Sequence, residues 1–210
     1  MPDQSGLPTL TALGLTALGH GEPQTVTIGP FAIVERVDVA LASLATRRGR
    51  QADVTAAAAT AGIPLPAPGR HASETRAAFW LAPDMWMIEA PFAHQDIRAD
   101  LLAIFGDAAS ITEQTDAWVR FDLSAADLIP LLERLSNFDL GRATDGSATR
   151  TVIDHLGCYL IRRGRCDITL YGPRSSAQTL HHALTVAAKS LLRSIHGGKN
   201  TAAGGTAATN

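Results

Sequence analysis

His181 and His182 are the closest thing in the sequence to a metal-binding pair. Two histidines on one helix need i, i+4 spacing to share a face, whereas adjacent helical residues point about 100° apart. The residues four positions before and after the pair are not typical metal ligands: Ala177, Gln178, Thr185 and Val186. We therefore predict a surface or packing role for both histidines.

Cys158 and His155 lie three residues apart, where one predicted strand turns into the next. A cysteine nucleophile needs an imidazole within reach of the sulfur and a third group to orient that imidazole. Asp154 is adjacent to His155, so on a strand it would point to the opposite face. The pattern favours Cys158 as a small core residue. Asp84, which follows Pro83, is typical of a turn.

Glycine and arginine groups complete the candidates. Gly14, Gly19 and Gly21 lack the strand-to-helix context of a phosphate loop, and Gly197-Gly198-Lys199 follows a helix instead of opening one. Arginines at 47, 48, 50, 162, 163 and 165 lie at predicted strand ends. We interpret them as solvated turns, with a docking patch for an acidic partner surface as the alternative. The sequence thus predicts no catalytic, cofactor-binding or metal-binding residue in this chain.

The stretch from residue 77 to residue 88 is the element around which the others must be arranged. Pro83-Asp84 divides it into two short strands that meet at a tight turn. Phe79 and Leu81 would share one face and Ala78 and Trp80 the other. Met85 and Met87 likewise oppose Trp86 and Ile88. Because both faces are apolar, both must be covered, either by helices or by another chain.

Hydrophobic periodicity and turn residues predict the other elements. Strands are predicted at 25–28, 31–34 and onward to 44, at 117–123, 149–154, 157–162 and 165–171, and helices at 51–60, 94–105 and from 175 to the stop at Gly197-Gly198. The short helix after residue 123 begins either at a capping box on Ser124 or at Asp127, which would place Pro130 in its first turn. A three-residue loop at 162–164 would pair Leu160 with Cys166 and Cys158 with Ile168. Both cysteines would then be free thiols, because diagonal neighbours are too far apart for a disulfide.

This order predicts an α+β fold with two small antiparallel-sheet units, each with helices packed on one side. The predicted boundaries are a flexible N-terminal arm (1–22), a first α+β unit (23–106), a second α+β unit (107–196) and a disordered tail (197–210).

Composition excludes several classes of partner. The formal net charge of −2 gives no electrostatic reason to expect nucleic acid or anionic lipid. No apolar run approaches the ~18 residues of a membrane span. The N-terminal region has no Lys or Arg before Arg36, unlike a signal peptide, and two cysteines are too few for a disulfide scaffold. We expect a cytoplasmic protein with no membrane and no nucleic-acid partner.

The central stretch also carries a family resemblance. FWLAPDMWMIEAP resembles the Trp-Leu-Gly-Pro-Asp-Glu-Trp hairpin of the gamma subunit of heterotetrameric sarcosine oxidase, a relative of the aminomethyltransferase (folate-binding) domains. Trp80, Leu81, Pro83, Asp84 and Trp86 match this pattern. Ala82 and Met85 depart from it, where glycine and a polar residue are usual.

Further segments resemble the same family in the same order. They are the strand 117–123 with Ser124-Ala125-Ala126-Asp127, the segment Asn137-Phe138-Asp139-Leu140, and the helix start at 173–180. Ser176 and Gln178 depart from the aromatic residue and the glutamate common there. Together the segments extend over roughly residues 25 to 195.

The resemblance implies a non-catalytic gamma subunit with alpha, beta and delta subunits as partners. The complex would oxidatively demethylate sarcosine to glycine, with H2O2 and either formaldehyde or 5,10-methylenetetrahydrofolate as products. FAD, FMN, NAD and tetrahydrofolate would belong to the large subunits and zinc to the smallest, with no cofactor in this chain.

Two alternatives stay open at the sequence level. N-methylglutamate dehydrogenase complexes contain a similar subunit. An autonomous folate-binding or one-carbon-transfer protein is the other alternative, although such proteins usually carry a further β-barrel domain, for which there is no room after Ile195. The Lys-Gly-Cys-Tyr-x-Gly-Gln motif of iron–sulfur-repair relatives is represented only by Gly157-Cys158-Tyr159.

Overall fold

In the computed structural model, residues 14–92 and 96–202 are described, with side chains up to Ser194. This part of the chain contains eleven strands and four α-helices. In chain order they are β1 (Thr25–Ile28), β2 (Phe31–Arg36), β3 (Val39–Thr46), α1 (Gln51–Ala61), β4 (His71–Ser73), β5 (Ala77–Ala82), β6 (Met85–Pro91), α2 (Ile97–Phe105), β7 (Ala109–Glu113), β8 (Trp118–Ser124), α3 (Ile129–Leu132), β9 (Ala148–Ile153), β10 (Leu156–Gly164), β11 (Asp167–Pro173) and α4 (Ala177–Ala202).

The strands form two antiparallel sheets, which confirms the α+β prediction. The six-stranded sheet has the order β1-β2-β8-β11-β10-β9, and the five-stranded sheet has the order β4-β5-β6-β3-β7. Helices α3 and α4 pack on one face of the six-stranded sheet, and α1 and α2 pack on one face of the five-stranded sheet. None of the helices described is long and apolar enough to cross a membrane.

The two sheets contact each other through their remaining faces, which produces a four-layer arrangement. Leu41, Phe79 and Met87 of the five-stranded sheet meet Ile161 and Tyr171 of the six-stranded sheet. The rings of Phe79 and Tyr171 stack with centroids 5.7 Å apart. Each sheet is therefore buried on both faces, and this explains the absence of polar alternation in the strands at the centre.

The central hairpin β5–β6 has the predicted faces. Trp80 pairs with Trp86, Phe79 with Met87 and Ala78 with Ile88, and Asp84 occupies the turn with a positive φ of 56°. Phe79 and Met87 face the other sheet, whereas Ile88 faces α1 and α2. Both faces are covered within this chain, so the alternative of cover by another chain is not needed.

The predicted boundary between units at residue 106 does not coincide with the boundary between sheets. Strands β1 and β2 belong to the six-stranded sheet, where Ile33 pairs with Leu123 of β8. Strand β7, after residue 106, closes the five-stranded sheet by pairing with β3. Alternation identifies a strand but not its partner, so sequence order suggested the wrong grouping.

The N-terminal segment from residue 14 packs against the six-stranded sheet instead of forming a free arm. Leu18 is buried in the core between that sheet and α4. The buried Glu35 carboxylate accepts hydrogen bonds from the backbone N–H groups of Leu18 (3.0 Å) and Gln24 (3.1 Å). The rest of the predicted arm, residues 1–13, lies outside the described residues.

Helix α4 continues through the glycines predicted to end it. Leu180, Leu184, Ala187 and Leu191 form the predicted buried stripe, and the helix extends to Ala202. Glycine in a helix costs about 1 kcal/mol relative to alanine, which weakens a helix without stopping it. The predicted tail therefore overlaps the helix up to residue 202, and residues 203–210 are not described.

The β10–β11 hairpin has a register different from the predicted one. Leu160 pairs with Leu170 and Arg162 with Ile168, so the turn lies at residues 165–166. The difference is an even number of residues, so Cys158, Leu160, Ile168 and Leu170 keep their predicted face and the hydrophobic pattern fits both registers, whereas Cys166 leaves the strand. Cys158 is buried, whereas Cys166 lies in the turn roughly 20 Å away along the strand. Their separation in this register leaves both cysteines as free thiols.

The start of α3 is closer to the second of the two predicted alternatives, with Leu128 at the N-cap position, one residue after Asp127. Ser124 is the last residue of β8, and Asp127 Oδ1 accepts a hydrogen bond from the backbone of Ile129 at 3.0 Å. Pro130 lies in the first turn, where its missing N–H has no intrahelical partner to lose. The strands β4 and β7 were not predicted.

Candidate functional site

A buried carboxylate, Glu89, connects the two sheets. It follows Met87 by two residues on β6 and therefore points from the same face toward the six-stranded sheet. Its side chain is 5% exposed. Arg163 on β10 donates to both carboxylate oxygens, at 2.5 Å and 2.9 Å, and the Tyr171 hydroxyl donates to one of them at 2.5 Å. This is a bidentate, charge-assisted pair, the strong form of a protein hydrogen bond.

His71 on β4 completes the surroundings of the carboxylate. Its Nε2 lies 3.6 Å from Glu89 Oε2 and contacts Arg163 Nη1. Burial alone would raise the pKa of Glu89. The contacts from His71 and Arg163, together with the charge of Arg163, outweigh burial and hold the pKa of Glu89 well below its usual range. Glu89 is therefore ionised at neutral pH.

Tyr171 stays protonated in this environment. Burial, followed by the neighbouring Glu89 carboxylate, raises the pKa of Tyr171 well above its ordinary value. Its hydroxyl donates to Glu89 and accepts a hydrogen bond from Arg120 Nη1 at 3.4 Å. The tyrosine thus relays a hydrogen bond between the sheets and is unsuited to act as a base at neutral pH.

A second ion pair backs the first within the six-stranded sheet. Arg120 donates to both oxygens of Asp122 at 2.9 Å, and Thr169 Oγ1 donates to Asp122 at 2.7 Å. Arg163 Nε in turn donates to Thr169 Oγ1 at 3.1 Å. The groups from Glu89 to Arg120 therefore form one continuous network.

The network borders an open cleft of about 390 Å³ at the edge of the inter-sheet contact. Charged side chains of both signs dominate its wall. They are Arg36, Arg76, Arg120, Arg163, Asp38, Glu74 and Glu89. The volume falls within the range of small-molecule sites, and the wall suits a polar ligand better than an apolar one.

The structure separates the predicted candidates from each other. His181 packs beside the Phe121 ring, with centroids 5.7 Å apart, while burial lowers the pKa of His181. No group of three His, Cys, Asp or Glu side chains suited to a metal ion occurs within residues 14–92 and 96–194.

Cys158 and His155 do not form a nucleophile pair. Cys158 is fully buried in the core of the six-stranded sheet, and burial raises the pKa of its thiol to about 11. His155 lies in the two-residue turn after β9, where both Asp154 and His155 have positive φ values of 47° and 67°. This is the backbone of a type I′ turn, so His155 serves the hairpin.

The arginine groups have different roles. Arg50 remains an exposed turn residue paired with Asp53 and Asp107, as predicted. Arg163 contradicts the prediction of a solvated turn because it pairs with the buried Glu89. Arg162 is likewise largely buried, with a side chain that is 16% exposed. It forms an ion pair with Asp145 and donates hydrogen bonds to the carbonyl groups of Leu140 and Ala143. The register difference in β10–β11 places both side chains within the strand.

Sequence reasoning missed the Glu89 network, although one signal was present. Glu89 is the only charged residue in the strand MWMIEAP, whose two faces are both predicted to be covered. A charge is rarely buried without a partner, so the strand implied an arginine or lysine opposite it. The sequence did not identify that partner, which lies 74 residues away.

Comparisons with known proteins agree with this geometry at the level of the fold. No family model matches the chain, and no curated protein matches it. A chain of heterotetrameric sarcosine oxidase from Corynebacterium sp. U-96, solved in complex with pyrrole 2-carboxylate, is similar with a TM-score of 0.69 and 19% identity. The similarity covers 80% of this chain and 88% of that chain. The two chains share a fold.

The glycine cleavage system aminomethyltransferase T from Bartonella henselae is similar with a TM-score of 0.51 and 14% identity. The similarity covers 74% of this chain, which spans about half (48%) of that one. At these identities the comparisons establish the fold alone, an α+β arrangement as the sequence predicted.

Proposed function

We propose that this chain is the gamma-type, non-catalytic subunit of a multi-subunit flavin-dependent sarcosine oxidase. The observation that carries the proposal is the mutual coverage of the sarcosine oxidase match, in which most of each chain aligns with most of the other. A chain of similar size and the same fold thus exists inside a heterotetrameric enzyme. The aminomethyltransferase, in contrast, is about twice as long as the part that aligns.

The arrangement of the buried charges supports a structural role. Glu89, Arg163, Tyr171 and Arg120 are hydrogen-bonded to each other, and the pKa values of Glu89 and Tyr171 are displaced away from neutrality. At physiological pH, Glu89 therefore stays deprotonated and Tyr171 stays protonated. Such a network connects the two sheets, and its groups are poorly suited to exchange protons with a substrate at neutral pH.

In the proposed complex, the alpha, beta and delta subunits carry FAD, FMN, NAD, tetrahydrofolate and zinc. Sarcosine is oxidatively demethylated to glycine in those subunits, with H2O2 and formaldehyde or 5,10-methylenetetrahydrofolate as the other products. This chain contributes to assembly, and we expect the complex in the cytoplasm.

Co-purification from the native host tests this proposal. A tagged copy of this chain should recover larger flavin-containing subunits, and the complex should release H2O2 with sarcosine while the isolated chain does not. N-methylglutamate serves as the comparison substrate. Stoichiometric flavin on the isolated chain, or sarcosine-dependent peroxide from it, would contradict the proposal.

A one-carbon or folate-binding protein that acts alone is the second candidate. The similarity to an aminomethyltransferase and the open cleft of about 390 Å³ favour it. Micromolar binding of tetrahydrofolate to the isolated chain, with no subunit recovered from the native host, would select this candidate.

A further inference from the structure

The turn between β4 and β5 brings two incompletely paired charges to the wall of the cleft. Ser73 pairs with Ala77, and the Glu74 backbone N–H donates to the Arg76 carbonyl group at 2.8 Å. This tight three-residue loop presents Glu74 and Arg76 to the same cleft. Its geometry is fixed by backbone hydrogen bonds, so both side chains start from defined positions.

Three of the four cleft arginines have acidic partners that use their donor groups. Arg36 makes a two-point contact with Asp38, and Arg120 makes one with Asp122. Arg163 makes a two-point contact with Glu89. Each of these three pairs has no net charge, so the paired side chains attract a charged ligand only weakly.

Arg76 differs from the other three. Its Nη2 reaches Asp100 in a single contact of 3.4 Å, and its Nη1 is covered from solvent with no acceptor among the described residues. A buried donor without an acceptor is destabilising, because it has lost its hydrogen bonds to water without replacement. The Arg76 side chain is one-fifth exposed and lines the cleft, so a rotation of the guanidinium toward the cleft would exchange the long Asp100 contact for a contact with a ligand.

Glu74 supplies the complementary unpaired charge. It is exposed, and no cation within the described parts of the chain forms an ion pair with it. Once the internal pairs are set aside, the cleft retains one carboxylate and one unsatisfied guanidinium donor. That combination matches a molecule with a cationic group and a carboxylate better than it matches a simple anion, which Glu74 and the other acidic groups would repel.

We propose that the cleft binds a small zwitterion, with its carboxylate on Arg76 and its ammonium group beside Glu74. A planar guanidinium binds a carboxylate at two points, which would satisfy the Nη1 donor. The cleft is large enough for a molecule the size of an amino acid. This ligand site is independent of the proposed role in an oxidase complex.

Calorimetric titration of the purified chain tests the site with L-alanine, acetate and methylammonium. L-Alanine should bind more tightly than either of its charged halves. Arg76→Gln should weaken L-alanine binding at least tenfold, and Arg76→Lys should restore part of it. Glu74→Gln should weaken the binding of L-alanine but not that of acetate.

Arg142→Gln is the matched control, because Arg142 is 92% exposed and its ion pair within the described residues is with Asp139, three residues before it. Melting temperatures identify any variant that fails to fold. If Arg76→Gln does not fold, the proposal is tested with Glu74→Gln, because Glu74 is exposed and its substitution should leave the fold intact. Acetate bound as tightly as L-alanine, L-alanine binding unaffected by both substitutions, or no binding to the wild-type chain would each overturn the proposal. These results need no partner subunit, so they are separable from the outcome of co-purification.

Discussion

Glu89 is a buried charged residue at the contact between the two sheets. Its carboxylate has left water almost completely, and Arg163 and Tyr171 replace the lost hydration with hydrogen bonds. A buried ion pair of this kind contributes little net stability compared with well-packed apolar residues. The loss of one partner, however, leaves an uncompensated charge in the interior.

We expect Glu89→Gln to lower the free energy of unfolding by about 3 kcal/mol, the lower end of the range for a broken buried pair, because Arg163 would lose its counter-charge while only one-fifth of its side chain reaches solvent. Urea denaturation measures the change. Asp139→Asn provides the control, since Asp139 is 62% exposed and its pair with Arg142 lies at the surface. Its loss should change stability by no more than about 1 kcal/mol. Equal effects of the two substitutions would show that the Glu89 pair is not decisive.

The depressed pKa of Glu89 predicts a loss of stability in acid. The unfolded chain has a glutamate pKa near 4.5, and the folded chain has a lower one. The contribution of this group is therefore complete above pH 4.5 and declines as the pH falls below that value toward the folded pKa. Denaturation series between pH 7 and pH 3 should show a steeper decline for the wild type than for Glu89→Gln. Parallel declines would contradict this linkage.

The role of a single residue could be predicted from the sequence when that role depends on its neighbours in the chain. Asp84 was assigned to a turn from its neighbour Pro83, and Cys158 was assigned to the core from its strand. Arg163 was misassigned as a solvated turn residue because its partner is remote in sequence. Local backbone chemistry is visible in a short window, whereas an ion pair across two sheets is not.

At the scale of elements, the β5–β6 hairpin is enclosed on one side by helices and on the other by a second sheet. Trp86 packs against the core below α1 and α2, and its Nε1 donates to the Pro66 carbonyl group at 2.9 Å. This bond also fixes the proline-rich connector between α1 and β4. The hairpin therefore stabilises both the layer above it and the connection beside it.

We expect Trp86→Ala to lower the free energy of unfolding by about 3 kcal/mol, through lost packing and the lost hydrogen bond to Pro66. Trp80→Ala is the matched control, because Trp80 is the cross-strand neighbour of Trp86 but makes no such bond to the connector within the described residues. The melting temperature of the isolated chain and co-elution with partner subunits are measured on the same variants. Loss of co-elution with unchanged stability would instead identify Trp86 as an interface residue.

Elements with strong local signals were predicted closely, whereas the end of α4 and the register of β10–β11 were not. Helix α1 begins and ends within one residue of the prediction, with Gly62 left-handed at its end. Helix α4 extends past its glycines, since a weak helix former cannot outweigh an established helix. The β10–β11 register was wrong because registers that differ by an even number of residues bury the same side chains.

At the scale of the whole molecule, the five-stranded sheet is an insertion between β2 and β8. All of its strands lie between residues 39 and 113, and the six-stranded sheet takes strands from both sides of that range. Hydrophobic patterns predicted the two antiparallel sheets and their helices but gave no indication that the sheets draw strands from both sides of residue 106. Strand partners were set by contacts between residues remote in sequence.

We expect the fragment 1–106 to be unfolded or strongly destabilised, since β2 would lose β8 and β3 would lose β7. The fragment 107–210 should behave similarly without β2. Circular dichroism with denaturant titration of each fragment, alone and mixed, measures this against the full chain. An independently stable 1–106 fragment would show that the sheets do not depend on these strand exchanges.

The same insertion has a consequence for biosynthesis. Ala32 pairs with Ser124, about 90 residues later, so the β1–β2 hairpin emerges from the ribosome long before its neighbour β8. At ordinary rates of translation this interval is roughly 5–20 seconds. During it, the hairpin exposes an unpaired strand edge and the apolar side chains of Phe31 and Ile33, while the strands of the five-stranded sheet are still being synthesised. The nascent chain is therefore most exposed to aggregation, and most in need of a chaperone, at its first hairpin.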